Sequence, residues 1–217
     1  MNIATHIDQA GVAAPILSVD VSSLSYDGMP VLSDIRLSVN RGETIALVGP
    51  SGIGKTSLLR IIGGLERGCS GDCQVNGRVA MVFQEPTLLP WRSVLDNITI
   101  TTGVSTAQAD SALAEVGLSD RALIYPNRLS LGQQRRLSLA RAFAIKPDLL
   151  LMDEPFVSLD PELVDEMMAL FVGLRDAHEV ATILVTHVED EARRLADRVV
   201  RLEGSPATIV SAPQSPA

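Results

Sequence analysis

The chain has 217 residues, 46 % of them hydrophobic and 20 % charged, enough apolar material for one packed domain and incompatible with wholesale disorder. Its formal net charge of −8 argues against nucleic acid or an anionic membrane as a general partner. No apolar run approaches the roughly 18 residues needed to cross a bilayer, and the start MNIATHIDQAGVAAP lacks the basic and apolar stretches of a secretory signal. A cytoplasmic location is the expectation.

Residues 1–15 read as a loose leader. Ile16–Tyr26 and Val31–Val39 alternate apolar with polar residues, the pattern of half-buried antiparallel strands. Thr44–Val48 is a short apolar strand running into glycines, and a helical stretch follows from about Lys55 to Gly63. Cys69 and Cys73 are the only cysteines; they lack the second ligand pair of a zinc site and read as two reduced thiols. Arg78–Phe83 is a further strand. From about Ser93 to Ile145 the pattern is mostly helical, with a break near Tyr125–Asn127. Leu149–Met152 is apolar at every position, as a strand covered on both faces would be. Asp160-Pro161 reads as an N-cap with proline at the first helical position, opening a helix to about Ala177. Val180–Val185 is strand, Val188–Leu195 helix and Arg198–Leu202 a last strand, before a Pro/Ser/Ala-rich tail. Strands alternating with helices predict an α/β fold with a mostly parallel sheet. The front hairpin forms an antiparallel β-subdomain and residues of about 92–146 an inserted helical subdomain. The predicted domain spans 16–203, with flexible tails at 1–15 and 204–217.

Gly49-Pro50-Ser51-Gly52-Ile53-Gly54-Lys55-Thr56 fits G-x-x-x-x-G-K-[ST] at every fixed position. The backbone N–H groups of such a loop turn inward around a phosphate, and its glycines allow the left-handed backbone this requires. The following helix N-terminus adds partial positive charge. Lys55 is one of only two lysines in the chain (Lys146 is the other) and can reach the β- and γ-phosphates, while the Thr56 hydroxyl can ligate Mg²⁺. Asp153-Glu154 ends the apolar strand 149–152. Successive strand side chains point opposite ways, so the two carboxylates take different tasks. Asp153 is the metal-side residue, and Glu154 is free to polarise the attacking water as a general base.

With these residues in place, the chain resembles the nucleotide-binding subunit of ATP-binding cassette (ABC) transporters over about Leu17 to Leu202. The P-loop core is then the expected fold. In that resemblance Tyr26 stands where an aromatic stacks on adenine, Ser57 extends the phosphate loop, and Gln84 matches a loop glutamine facing both Mg²⁺ and the membrane partner. Leu129-Ser130-Leu131-Gly132-Gln133 matches the signature LSGGQ, Ser158-Leu159-Asp160 a dimer-contacting loop, and His187 the switch histidine. Ser130 and Gln133 also form a capping box in their own right, placing a helix N-terminus suited to a phosphate at 131–133. Leu131 replaces the signature's first glycine. A left-handed backbone there would be costly for leucine, while Gly132 is kept, and a working but slower site is the expectation.

The resemblance implies ATP and Mg²⁺ as ligands, Ser130, Gly132 and Gln133 closing over ATP in another copy or a paired ABC subunit, and hydrolysis as the activity. The segment Gln84–Trp91 is similar to that of nitrate, alkanesulfonate and taurine importers. It implies a transmembrane permease partner, indirectly a solute-binding protein, and a peripheral place on the cytoplasmic face of the cell membrane. Leu88, Leu89 and Trp91 suit a partner groove; the other reading has Trp91 anchoring the helical block to the core. The alternative functions are a soluble, non-transport ABC ATPase or a weakly hydrolysing regulatory module. The chain has no heptads or coiled-coil length for the first, and Lys55, Asp153, Glu154 and His187 speak against the second.

Overall fold

A computed structural model describes residues 14–211. Nine strands form one sheet, ordered β4-β1-β2-β9-β8-β3-β7-β6-β5. Alternation at the front folds as read: β1 (Leu17–Tyr26) and β2 (Met29–Val39) pair antiparallel, Leu17 opposite Val39. The parallel part is β3 (Thr44–Val48), β5 (Val79–Val82), β6 (Leu149–Asp153), β7 (Ala181–Val185) and β8 (Arg198–Gly204). Every residue of β3, β6 and β7 is buried, which explains why they are apolar apart from Thr44, Asp153 and Thr182.

The two faces of that sheet are sorted by parity. Leu149 and Leu151 of β6 pack on the side of helix α1 (Lys55–Ile62), together with Ile45 and Leu47 of β3. Leu150 and Met152 face the other side, toward the helical subdomain. That subdomain holds α2 (Val94–Thr102), α3 (Thr106–Glu115) and α4 (Leu131–Ala144), while α5 (Pro161–His178) and α6 (Glu189–Leu195) complete the α-helices among the described residues. Proline opens α5 behind an Asp160 cap whose carboxylate accepts from the Leu163 N–H at 3.0 Å.

Two segments differ from the reading above. Cys69–Val75 forms β4, an edge strand antiparallel to β1, where no strand was expected. Its sequence CSGDCQV carries almost no apolar alternation because only one flank is paired and most of its side chains meet solvent. The expected flexible tail from 204 is also corrected. Ala207–Ser211 is a strand, β9, antiparallel to β8 and joined in parallel to β2 at Leu32. Ala207 is buried and Ile209 packs against the same core, so the Pro/Ser/Ala composition concealed a short alternating run. Of the leader, residues 1–13 lie outside the described residues, as do 212–217 of the tail.

Candidate active site

Open α/β sheets place ligands beyond the carboxyl ends of their parallel strands. Here the loop after β3, the end of β6 and the turn after β7 converge there. In the loop Gly49–Thr56 the left-handed conformation falls on Gly49 (φ 151°), Gly52 (77°) and Gly54 (109°). A Cβ on Gly54 would lie 2.8 Å from Leu32 Cδ2, so the loop's last glycine is required both by backbone and by packing. Lys55 is buried, and its Nζ donates to the carbonyls of Gly49 at 2.8 Å and Pro50 at 2.9 Å. The ammonium is thereby held inside the ring of the loop. Burial pushes its pKa below the ordinary lysine value, and the charges of Glu154 and Asp153 pull against that shift.

Asp153 shares parity with Leu149 and Leu151, which aims it at the α1 side. There its Oδ1 accepts a hydrogen bond from Thr56 Oγ1 at 3.1 Å. Burial raises the Asp153 carboxyl; the Thr56 hydrogen bond opposes this. A hydroxyl and a carboxylate oxygen side by side, beside a phosphate loop, are the hard oxygen donors that suit Mg²⁺. Glu154 leaves the strand with φ 45°, a left-handed turn that sends its carboxylate elsewhere, to Oε1 3.4 Å from His187 Nδ1. The strain of that turn is carried by a hydrogen bond from the Glu154 N–H to the Val185 carbonyl at the end of β7.

One cavity of about 440 Å³ brings together Tyr26, Ser51, Gly52, Gly54, Lys55, Thr56, Ser57, Gln84 and Glu154. Tyr26 is partly exposed at its rim, with its hydroxyl donating to Glu66 at 3.0 Å. A second, of about 500 Å³, joins Glu154 and His187 to Ser158 and the start of α5. His187 also faces Gly49, Pro50 and Ser51 from the other flank of the loop. Ser130, Gly132 and Gln133 line none of these three cavities.

They form the predicted capping box on α4: Ser130 Oγ accepts from the Gln133 N–H at 3.3 Å, and Gln133 Oε1 accepts from the Ser130 N–H at 3.1 Å. Leu131, the first residue of α4, is not left-handed, so the strain anticipated for it is absent. Its side chain is 42 % exposed. Gly132 is buried, and a Cβ there would meet Leu163 of α5 at 2.9 Å.

Sequence reasoning missed three buried polar residues around this site. Glu191 of α6 accepts from the Thr186 hydroxyl, which itself accepts from the Val188 N–H at 3.0 Å, bracing the turn that carries His187. Burial raises the Glu191 carboxyl, with the Thr186 hydrogen bond opposing. Arg135 of α4 reaches the carbonyls of Gln84 and Val157. Asn97 of α2 fastens the Leu89–Ser93 segment, accepting from Leu89 N–H at 2.7 Å and donating to the Leu89, Arg92 and Ser93 carbonyls. Trp91, in that segment, is 68 % exposed, which rules out its use as an anchor for the helical block. Arg135 and Glu191 stand among other polar residues of their helices, so nothing in the sequence set them apart.

A strand running into a glycine loop, a Lys-Thr pair opening the next helix and an acidic residue ending a neighbouring parallel strand define a P-loop nucleoside triphosphatase. Comparison narrows the class: the ABC transporter family matches residues 32–157, and the chain belongs to that family. Its relatives include an aliphatic sulfonates import ATP-binding protein, SsuB 2, of Burkholderia cenocepacia (strain HI2424), 40 % identical over 211 residues, 92 % of this chain and 78 % of the relative. SsuB 3 of Rhodococcus jostii (strain RHA1) is 45 % identical over 194 residues, 86 % of this chain and 72 % of its own. Among solved structures, cbiO1 of Clostridium perfringens, part of the ABC transporter complex cbiONQ, superposes with a TM-score of 0.81 at 25 % identity, covering 91 % of this chain and 88 % of that one.

Proposed function

We propose that this chain is the ATP-hydrolysing subunit of an ABC importer for an organosulfonate-type solute, working in pairs on a separate membrane permease. The observation that carries the hydrolytic reading is the division of labour at the strand ends. Lys55 and the Thr56–Asp153 pair sit on one side, and the Glu154–His187 pair, 3.4 Å apart, on the other.

Lys55 leaves its two carbonyl partners for the β- and γ-phosphates, drawn from weak neutral acceptors to charged ones. Tyr26 covers the base from the cavity rim. Thr56, Asp153 and Gln84 would hold Mg²⁺, which supplies charge neutralisation to the phosphates when bound. Glu154 orients a water in line with the γ-phosphorus and takes its proton. His187 holds the Glu154 carboxylate in place and donates to the departing phosphate.

The α4 N-terminus lines none of the cavities around its own phosphate loop, which supports its use by a second copy. Ser130, Gly132 and Gln133 of one subunit would cap the γ-phosphate in the other, with Ser158 and Asp160 at the seam. ATP bound between two copies favours the closed pair, and its cleavage releases them; that difference in binding energy works the permease.

Among the described residues no helix is long and apolar enough to cross a membrane; in this reading the permease makes the passage. The exposed Trp91, with the partly buried Leu88 and Leu89 beside Gln84, offers the apolar patch for docking it on the cytoplasmic face. A solute-binding protein would meet only the permease. Affinity purification from detergent-solubilised membranes tests this. An integral membrane protein that co-purifies with the wild type and is lost with Trp91→Asp supports the reading. Recovery of the chain without any membrane protein contradicts it.

A further inference from the structure

Arg135 is a buried cation with an unusual set of partners. It is 5 % exposed, and among the described residues no carboxylate lies within ion-pairing distance of it. Its Nη1 donates to the carbonyl of Gln84, with Phe83 O also at 3.5 Å, and its Nη2 donates to Val157 O at 3.3 Å. Its Nε is buried without a partner among the described residues. Burial pushes its pKa down and the charge of Glu85 opposes this without forming an ion pair, so the fork is not explained as a stabilising salt bridge. What it does geometrically is bridge. Gln84 follows β5, Val157 lies in the loop that leaves Glu154, and Arg135 itself stands one turn after the Ser130 cap.

The same face of α4 repeats the grip. Ser138 Oγ donates to Pro86 O at 3.1 Å, and Arg141 donates to the Thr87 carbonyl at 2.9 Å and hydroxyl at 3.0 Å. Thr87 has φ 45°, costly for a β-branched residue and sustained only where its surroundings hold it. Outside α4 itself, the side-chain hydrogen bonds of Arg141 and Ser138 go to the Gln84 loop. Arg135 is the side chain that joins that loop to the loop of Glu154.

We propose that Arg135 is a positioning residue which ties the Gln84 loop and the 154–160 loop to the N-terminal turns of α4, so that the three move as one body. The roles of Gln84 and Glu154 in this are those proposed above; the mechanical tie stands independently of them. A planar guanidinium spans two acceptors in different loops, which an ammonium, a point donor, does not do with equal reach.

The test uses the full chain in three variants, Arg135→Met, Arg135→Lys and Arg141→Met, with backbone amide order parameters and steady-state ATPase as readouts. For Arg135→Met, amides at 84, 85, 87 and 156–159 should fall together from about 0.85 toward 0.6 or below, while β3, β6 and β7 stay rigid. Arg141→Met should loosen 85 and 87 and leave 156–159 unchanged. Arg135→Lys should restore one of the two loops and not both. With the loops uncoupled, kcat should drop about 10–100-fold at nearly constant KM for ATP, as for a misplaced reacting group. The proposal is overturned by order parameters that change in one loop only, in neither, or equally in the core strands; two loosened loops with kcat intact would strike the roles given to Gln84 and Glu154 and uphold the tie. A wild-type chain without ATPase activity would instead strike the hydrolytic reading, leaving the order parameters to decide the tie.

Discussion

Replacing Asn97 by alanine removes a buried amide that makes four hydrogen bonds to the Leu89–Ser93 segment. Its two amide protons are shared among three carbonyls, so the effective count is one acceptor and two donor bonds. At about 1 kcal/mol net for each, the loss is about 3 kcal/mol, and the small void left by the truncated side chain adds to it. In a domain of this size 1 kcal/mol moves Tm by roughly 2–4 °C, which gives a drop of about 6–12 °C. Urea unfolding of wild type and Asn97→Ala at 25 °C measures the free energy directly. ATP affinity should be unchanged, because Asn97 is absent from the cavity containing Lys55. A loss below about 1 kcal/mol would refute the reasoning, since it would mean that water replaces the amide at no cost.

Two further outcomes follow from individual side chains. Lys55→Met should weaken ATP binding about 10–100-fold by calorimetry, the value of one charge-assisted contact. Stability should stay within about 1 kcal/mol, because Pro50 is exposed and Gly49 half-buried, so water can replace the ammonium at their carbonyls. Glu191→Gln should change how stability depends on pH. A carboxyl whose folded pKa is raised by burial holds its proton more tightly when folded, so its contribution is present below the unfolded value and is lost as pH rises through the folded one. The Tm of Glu191→Gln relative to wild type should therefore climb as pH rises above about 4.5. A difference that is flat across that range would contradict the burial argument.

The parts of the site legible from sequence are those where chemistry fixes each position. Gly49 through Thr56 admits few substitutes because the backbone itself is the ligand, and Asp153 stood out as a charge ending an apolar strand. Ser130 and Gln133 announced a helix start through their three-residue spacing, and α4 begins there. The rest was hidden for physical reasons. An edge strand such as β4 is largely solvated on its free side and loses the alternation that marks a strand. β9 is five residues long and follows Ser205-Pro206, where composition reads as tail. Asn97, Arg135 and Glu191 act through backbone carbonyls and hydroxyls up to 52 residues away, and a carbonyl leaves no trace in sequence. The backbone strain considered for Leu131 does not arise, because that position is ordinary helix.

The central claim is that ATP is clasped between the Lys55 loop of one copy and the Ser130–Gln133 helix start of another, and that Glu154 ends this state by enabling hydrolysis. Sedimentation velocity of Glu154→Gln with saturating ATP and Mg²⁺ tests it most directly. The account predicts a dimer retaining two nucleotides, which a further Ser130→Trp substitution returns to monomer. A chain that stays monomeric with ATP bound, or that hydrolyses ATP at the wild-type rate, contradicts it.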